Sequence, residues 1–315
     1  MTGWRDGLYA RLAGQPSPLL ILPDQIWTAS SLWAGSRLWV RVLREAGLSR
    51  GDRVVCALPA GAAFVQLLVA SLWDGFTLAP VAPHEVEGDG SAALLALLDA
   101  RLLVRDSLAS PVASAPHCFE PGAAGWPDRC LPPLRTASGI STPDVCVLLQ
   151  TSYTSEVPER IALSEANVLA LLSSHAPFPA STGGCTLSVL PWHHASEFVS
   201  TLLMALLHAR EIVRSADGGG DLQSLLDLAD LHPITHMNLS PALATRLFAE
   251  ERGASLLHRL HGGIVEGTPV SAILATQLQS TRLRSGYGKD EVRFGIAPND
   301  PAARPPANGF SQTFF

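Results

Sequence analysis

Residues 53–81, RVVCALPAGAAFVQLLVASLWDGFTLAPV, decide the fold because they hold a long apolar run between two short ones. Residues 54–58 and 78–81 have the length and composition of buried strands, and residues 62–73 have the length of a helix. A strand, a helix and a second strand in this order place the strands in parallel, because the helix carries the chain back along the sheet. The stretch therefore predicts an α/β protein with a parallel sheet.

The same alternation of strands and helices extends toward both ends of the chain. Thr28 is a helix-capping residue type, and apolar residues recur after it at helical spacing as far as Ala46, just before Gly47. Residues 110–143 are rich in Pro, Ala, Ser and Gly, which is typical of a connection. The other predicted elements are strands at 19–22, 102–104, 145–149, 187–190, 211–213, 235–238 and just before Gly262, and helices at 91–100, 165–173, 197–208, 222–231 and 241–250.

These elements predict two stacked lobes, each a mostly parallel sheet with flanking helices. We expect the first lobe to span residues 1–143 and the second to span residues 144–315. A chain of 315 residues, of which 47% are hydrophobic and 16% charged, is long enough and apolar enough for a core of this size.

Charge and cysteine content narrow the class of protein. The net charge is −6 without a cluster of Lys or Arg, which argues against a nucleic-acid partner. The longest apolar run, residues 62–73, is broken by Gln66 and Ser71, so we expect no membrane span. Five widely spaced cysteines without a Cys-x-x-Cys pair are typical of reduced thiols, and they predict a cytoplasmic protein.

A polar loop, residues 151–161 (TSYTSEVPERI), follows the strand predicted at 145–149. Its hydroxyls suit hydrogen bonds to a nucleotide phosphate, but the loop has no glycine to let the backbone close on phosphate oxygens. Glu156 and Glu159 would repel a triphosphate. The four hydroxyl residues that we select as phosphate-binding candidates are Thr151, Ser152, Thr154 and Ser155.

Several other stretches occur in a fixed order along the chain. They are Gly51-Asp52-Arg53-Val54, Leu163-Ser164-Glu165-Ala166-Asn167-Val168, Leu190-Pro191-Trp192-His193-His194, Thr235-His236 with Pro241-Ala242-Leu243, His261-Gly262-Gly263-Ile264, and Gly286-Tyr287-Gly288-Lys289-Asp290-Glu291. Together with the polar loop, this order resembles the adenylate-forming (AMP-dependent) synthetases and ligases, which include acyl- and aryl-CoA synthetases and the adenylation domains of peptide synthetases. The resemblance implies the fold of their N-terminal large domain.

The sequence departs from that family at the loop and at its end. Where the family has two glycines and a lysine, the loop has Tyr153, Glu156 and Glu159. The family continues into a small barrel and a C-terminal domain with a catalytic lysine, whereas this sequence ends at Phe315. We therefore expect a truncated large domain with a degenerate phosphate loop and without the lysine domain.

The resemblance also implies a nucleotide site. Gly286, Tyr287 and Gly288 would form a shelf for adenine, and Glu291 would help to hold magnesium. Asp290 stands where the family has a threonine that touches phosphate, and Gly262 and Gly263 would belong to the same nucleotide-binding region. ATP or AMP and Mg²⁺ are thus implied as cofactors only if nucleotide binding is retained. The alternative is that the glycines preserve a tight turn beside a strand.

Three residues form the candidate catalytic group: His193, His194 and Glu197. By the resemblance, His194 borders an acyl pocket. A histidine suits proton transfer near neutral pH, and Glu197 lies at helical spacing from both rings, where it could orient one of them. The alternative is that all three are pocket-wall and capping groups. A zinc site is disfavoured, because adjacent side chains on a helix point about 100° apart.

Three functions remain open from the sequence. The first is a truncated synthetase-like protein, unable to adenylate carboxylates alone, that binds an acyl or aryl group or a partner protein in a biosynthetic pathway. The second is an active ligase completed by a separate C-terminal domain. The third is an enzyme that uses the acyl pocket for proton transfer on an acyl thioester. The expected partners are an acyl or aryl carboxylate or thioester, an acyl carrier protein or partner subunit, and other copies of the chain in a homo-oligomer or hetero-complex.

Overall fold

The structure, a computed structural model, describes most of the chain. The described residues are 4–87, 90–106, 118–119, 145–150, 160–175, 184–208, 211–215, 218–289 and 292–297. The strands are β1 Pro18–Ile21, β2 Ile26–Thr28, β3 Arg53–Ala57, β4 Thr77–Pro80, β5 Leu102–Arg105, β6 Cys118–Phe119, β7 Val145–Gln150, β8 Arg160–Ser164, β9 Cys185–Ser188, β10 Glu211–Arg214, β11 Ile234–Met237, β12 Ile264–Val265, β13 Arg284–Lys289 and β14 Val292–Ala297.

The helices alternate with these strands. They are α1 Trp4–Leu12, α2 Ala29–Glu45, α3 Ala62–Asp74, α4 Gly90–Leu97, α5 Glu165–His175, α6 Ala195–Glu197, α7 Met204–His208, α8 Leu222–Leu231, α9 Pro241–Phe248, α10 Glu251–Arg259 and α11 Ala272–Leu278, with a short 3-10 helix at Pro83–Val86. A π-helical segment, Phe198–Leu203, joins α6 to α7.

The strand–helix–strand unit predicted from residues 53–81 is confirmed. Strand β3 pairs in parallel with β4, and α3 connects them. Gly75 ends the helix in a left-handed conformation (φ 86°), and its N–H donates to the carbonyl of Ser71 at 2.8 Å. Glycine suits this position because a left-handed backbone costs it no clash with a Cβ atom.

The described strands form three sheets. The six-stranded sheet has the order β6-β5-β3-β4-β7-β8 and is parallel except for the edge strand β8. The five-stranded sheet has the order β11-β9-β10-β1-β2 and is parallel except for β2. In the three-stranded sheet, β12 pairs with β13 in parallel and β13 pairs with β14 antiparallel. The predicted fold class of mostly parallel sheets with flanking helices is therefore confirmed.

One apolar core lies between the two larger sheets. It joins Leu20 of β1 and Val54 of β3 to Trp39 of α2 and Leu67 of α3, so these two helices separate the sheets. Side chains alternate along a strand, and Val55, next to Val54, packs instead in a core that includes α4 residues. A third core covers the other side of the five-stranded sheet with residues of α8, α9, α10 and α11. The helices therefore form layers on both faces of each large sheet.

The expected boundary at residue 143 lies outside the described residues, as does most of the stretch 110–143. The pairing of the strands does not divide the sheets into two sets at this boundary. The five-stranded sheet combines β1 and β2 with β9 to β11, and the six-stranded sheet combines β3 to β6 with β7 and β8. Each large sheet therefore takes strands from both sides of residue 143.

The prediction of a strand just before Gly262 is wrong. Residues 251–259 form helix α10, which buries Gly253, Leu256 and Leu257 and holds Arg252 against Asp227 and Asp230 on α8. The helix is only nine residues long and includes Gly253, a poor helix former, and its packing on α9 and α8 stabilises it. Helix α1 was not predicted either, and the helix expected at 197–208 is interrupted by the π-helical segment.

Two simpler expectations can be compared with the structure. Among the described residues, no helix is both long enough and apolar enough to cross a membrane. Cys56, Cys146 and Cys185 are free thiols, and burial raises the pKa of each to about 12. They are inert packing residues at neutral pH, because the thiolate is the reactive form.

Candidate functional site

The polar loop connects two paired strands. Strand β7 leads into it and β8 leaves it, and the last pair before the loop joins Gln150 to Arg160. Residues 151–159 are thus the nine-residue connection of a hairpin at the edge of the six-stranded sheet, following the carboxyl end of a parallel strand, and the last two residues of the predicted loop, Arg160 and Ile161, begin β8. Ligands in α/β sheets bind at such ends. The candidates Thr151, Ser152, Thr154 and Ser155 lie outside the described residues.

The double-histidine turn, residues 191–194, is anchored in the protein by its own buried residue Trp192. The Trp192 ring is 1% exposed, contacts Phe64 of α3 with 5.4 Å between ring centroids, and donates its Nε1–H to Ser188 Oγ at 2.9 Å. Arg214, at the end of β10, donates to the Leu190 carbonyl at 2.6 Å and lies 5.8 Å from the Trp192 ring centroid. The turn is therefore anchored on both neighbouring strands, β9 and β10.

The two histidines of this turn stack loosely. Their ring centroids are 4.8 Å apart; His193 is partly buried and His194 is exposed. Burial, and to a smaller extent the neighbouring His194, His84 and Arg214, lower the pKa of His193 to about 4. His193 is therefore neutral at pH 7 and is a weak base, although one ring nitrogen can accept a hydrogen bond.

Glu197 is buried in the first turn after the histidines. It is 1% exposed; Ser188 donates to its Oε1 at 2.6 Å and Thr201 donates to its Oε2 at 2.7 Å. Burial raises the pKa of Glu197 to about 7, although both hydroxyls and Arg214 act in the opposite direction. The carboxylate is thus held by hydroxyl groups inside the protein, next to a π-helical segment of a kind often found at functional sites.

Thr201 continues the chain of hydrogen bonds toward the next strands. Asn238, directly after β11, donates through Nδ2 to Thr201 Oγ1 at 2.7 Å and to Ser200 Oγ at 3.1 Å. Its Oδ1 accepts the N–H of Ile264 at 2.9 Å. We call Arg214, Trp192, Ser188, Glu197, Thr201, Asn238 and the Ile264 N–H the buried polar network.

The network ends at the double-glycine segment, Gly262 and Gly263. Gly263 has φ 156°, and a Cβ placed there would lie 1.9 Å from the Met237 carbonyl oxygen, so only glycine fits. The carbonyl of Gly263 accepts the N–H of Arg284, which starts β13. A Cβ at Gly286 would lie 2.5 Å from Ile264 Cγ2, so the two glycine motifs pack directly against each other.

The structure thus brings together part of the predicted site. Gly262, Gly263 and Gly286 are neighbours, and the buried polar network connects them to Glu197 and, through Trp192, to the turn that contains His193 and His194. The backbone of Tyr287 and Gly288 continues β13. Asp290 and Glu291 lie outside the described residues. Among the described residues, no group of three or more His, Cys, Asp or Glu side chains is placed to hold a metal ion.

Sequence reasoning missed Thr201, which follows Glu197 by one helical turn, and three network members at strand ends: Ser188, Arg214 and Asn238. Ser188 and Arg214 are the last residues of β9 and β10, and Asn238 directly follows β11. These strands are neighbours in one parallel sheet, so their carboxyl ends meet at one edge. A polar residue at the end of each of three successive buried strands was the signal that could have revealed them.

Comparison with known proteins decides the family. The family described as AMP-binding enzyme matches residues 13–311, nearly the whole chain. The chain belongs to the AMP-binding enzyme family. The resemblance to adenylate-forming synthetases and ligases is thereby confirmed. None of the curated proteins compared with the chain matches it.

Solved structures share the fold at low sequence identity. The N-terminal domain of FACL13 from Mycobacterium tuberculosis, bound to an inhibitor, superposes with a TM-score of 0.75 at 17% identity, covering 91% of this chain and 76% of that one. The NpsA N-terminal subdomain from Klebsiella oxytoca, in complex with 3-hydroxyanthranilyl-AMSN, gives 0.71 at 22% identity, with 90% and 72% covered. Apo MatB from Rhodopseudomonas palustris gives 0.72 at 18%, with 96% and 62% covered. This chain therefore has the fold of an N-terminal domain in the AMP-binding enzyme family.

Proposed function

We propose that this chain binds an acyl or aryl group on the fold of an AMP-binding enzyme and does not adenylate carboxylates by itself. The observation that best supports this proposal is a contrast between two parts of the candidate site. The acyl side is anchored by a buried polar network, whereas the phosphate side has acquired carboxylates.

The phosphate side opposes ATP by its charge. The hairpin loop between β7 and β8 contains Glu156 and Glu159 and has no Lys, Arg or Gly within residues 151–159. Each carboxylate close to the triphosphate would cost several kcal/mol at partly buried separations, on the order of 4 kcal/mol per pair of unit charges at 4 Å. Without glycine, the backbone also loses the freedom to wrap phosphate oxygens.

The acyl side keeps the features of a rigid binding wall. Trp192 is buried, its indole N–H is bonded, and Arg214 fixes the carbonyl before the double-histidine turn. Sites built on locked side chains lose less entropy when they bind a ligand. The NpsA N-terminal subdomain was solved with 3-hydroxybenzoyl-AMSN bound, so in that protein the subdomain alone holds a ligand. We infer that this chain likewise binds without a C-terminal domain.

Calorimetric titration tests the proposal with two kinds of ligand. The first is Mg²⁺·ATP, and the second is a set of non-hydrolysable acyl-sulfamoyl adenosines that carry acetyl, octanoyl or benzoyl groups, together with the matching free acids. We expect no heat of binding with Mg²⁺·ATP up to millimolar concentration and saturable binding of at least one acyl compound. Micromolar binding of Mg²⁺·ATP would overturn the proposal in favour of a ligase completed by a separate C-terminal domain.

A mass-spectrometric assay separates the third function. The protein is incubated with benzoyl and octanoyl thioesters of N-acetylcysteamine in deuterated water, and exchange at the octanoyl α-carbon is followed. Exchange that is lost in the His193→Asn variant would favour an enzyme that transfers a proton on an acyl thioester. We expect no exchange above that of the buffer, because a His193 with a pKa near 4 is a weak base.

A further inference from the structure

We propose that Glu197 is a positioning residue whose ionised carboxylate holds the double-histidine turn and the double-glycine segment together, so that its protonation weakens acyl-ligand binding. The inference rests on the proposed function for its ligand. The arrangement of the network itself can be tested without one.

The hydrogen-bond directions in the network follow from its chemistry. Trp192 and Arg214 can only donate, and both donate to Ser188 Oγ, at 2.9 and 3.2 Å. A hydroxyl has two lone pairs and one proton, so Ser188 must donate its proton, and its remaining partner is Glu197. The Ser188 side of the network therefore requires Glu197 to accept.

The other side of the network gives the same direction. The Ile264 N–H can only donate, which makes Oδ1 the acceptor atom of Asn238 and leaves Nδ2 to donate. Nδ2 donates to Thr201 Oγ1, and Thr201 donates its own hydroxyl hydrogen to Glu197 Oε2. With these directions both carboxylate oxygens accept a hydrogen bond, which is the arrangement that an ionised Glu197 supports.

Protonation of Glu197 breaks this arrangement. A proton on Oε1 would face a Ser188 oxygen whose lone pairs already accept from Trp192 and Arg214. A proton on Oε2 would turn the Thr201 hydroxyl away from the carboxylate. The first change disturbs the bonds that anchor Trp192 in the double-histidine turn. The second reorients the hydroxyl to which Asn238 donates, and Asn238 anchors Ile264, the residue after the double-glycine segment.

Polar and charged groups on several neighbouring elements act on the pKa of Glu197. Arg214 of β10 favours the ionised form, as do Ser188 of β9 and Thr201 of its own helical segment. Burial opposes them and raises the pKa to about 7. The titratable groups on the double-histidine turn and the 3-10 helix are His193, His194 and His84, of which the last two lower the pKa of His193. Both protonation states of Glu197 are therefore populated near neutral pH.

The first test follows the two ends of the network by NMR without ligand. We expect the chemical shifts of the Trp192 indole Nε1–H and the Ile264 backbone N–H to change with pH in the wild type. Both changes should share one midpoint near pH 7, the pKa of Glu197. Trp192→Phe assigns the indole signal. In Glu197→Gln, which keeps the shape and all three histidines, both titrations should disappear. A shift that persists in Glu197→Gln, or an Ile264 signal that does not move between pH 5.5 and 8.5, would overturn the inference.

The second test measures affinity against pH by calorimetry, with benzoyl-sulfamoyl adenosine as the probe. If only the ionised form binds, a pKa near 7 predicts about tenfold weaker binding at pH 6 than at pH 8 in the wild type and a flat profile in Glu197→Gln. At pH 7 binding should release about half a proton, seen by comparing buffers of different ionisation enthalpy. Equal slopes in both proteins would overturn the coupling.

The two tests distinguish this inference from the proposed function. Coupled titration of Trp192 and Ile264 without binding of any acyl compound would support the network and reject acyl binding. Binding with a flat pH profile in the wild type would support acyl binding and reject the role of Glu197. Thr201→Val is a second variant, because it keeps the Ser188 side and removes the link to Asn238. We expect it to retain the Trp192 titration and to lose that of Ile264.

Discussion

The side-chain oxygen of Asn238 accepts the backbone N–H of Ile264 at 2.9 Å, and this bond joins the five-stranded sheet to the small sheet that carries the glycine motifs. It lies between two isolated bridges, from His236 to Gly262 and from Leu239 to Val265. The edge where β11, β9 and β10 end is therefore fixed in position relative to β12 and β13.

Asn238→Leu should lower the free energy of unfolding by about 2–4 kcal/mol. It leaves the buried Ile264 N–H without its acceptor and Thr201 without its donor, and one buried unsatisfied group costs about 1–3 kcal/mol. Urea denaturation measures the loss, and hydrogen exchange at Ile264 should accelerate more than exchange in α2. Gln15→Ala, which removes an exposed amide, is the control and should change stability by less than about 0.5 kcal/mol. Equal losses in both variants would contradict the prediction.

Gly263→Ala should destabilise the protein more than Gly267→Ala. Both glycines have positive φ, 156° and 107°, but only at Gly263 does an added Cβ meet another atom, the Met237 carbonyl oxygen at 1.9 Å. Gly267 has open space around it and serves as the matched control for the backbone strain alone. We expect a loss of about 1–2 kcal/mol for Gly267→Ala and at least about 2 kcal/mol more for Gly263→Ala. Chemical denaturation of the two variants side by side measures the difference.

Glu197 should make stability depend on pH in a defined direction. Its pKa is about 7 in the folded protein, against an ordinary value of 4.5, so the folded state holds the proton more tightly between these values. Stability from this group is therefore present below pH 4.5 and is lost as pH rises through 7, because the cost of burying the charge exceeds what the hydrogen bonds of the ionised network contribute. The full difference corresponds to about 3 kcal/mol as an upper limit.

The measurement compares wild type with Glu197→Gln by urea denaturation between pH 5 and 8. The difference in the free energy of unfolding should move in favour of Glu197→Gln as pH rises, and should level off above pH 7.5. Other carboxylates and histidines titrate equally in both proteins and cancel in the difference. A difference that stays constant across this range would contradict the buried, titrating carboxylate.

The sequence was sufficient for the elements whose apolar pattern is local and strong. The β3-α3-β4 unit and helix α2 with its Thr28 cap lie where the pattern placed them. Helix α10 was missed because it is short and includes Gly253, whereas its packing on α9 and its ion pairs with α8 are tertiary contacts that the local sequence does not show. The position of Glu197 on a helix was predicted, but its partners were not. Ser188 lies at the end of strand β9, and no rule of sequence spacing connects it to Glu197 on α6.

The phosphate loop allows a gain-of-function experiment. Changing Tyr153, Glu156 and Glu159 to Gly, Gly and Lys restores the residues that the family has at these positions and removes two carboxylates from the connection between β7 and β8. If charge and backbone stiffness exclude ATP, this triple variant should bind Mg²⁺·ATP at least about 100-fold more tightly than wild type, which corresponds to about 3 kcal/mol. Calorimetry measures the affinities.

A control variant tests whether the change in the net charge of the protein alone raises its affinity for Mg²⁺·ATP. Glu250→Lys with Glu251→Gly makes the same change in charge on two exposed residues at the start of α10 and leaves the loop unchanged. We expect this control to bind Mg²⁺·ATP no better than wild type, because salt screens solvent-exposed charges that are not part of the binding site. A comparable gain in both variants would mean that the overall field, and not the loop, excludes the nucleotide. Tight binding of Mg²⁺·ATP by the wild type would show that the loop carboxylates do not exclude the nucleotide.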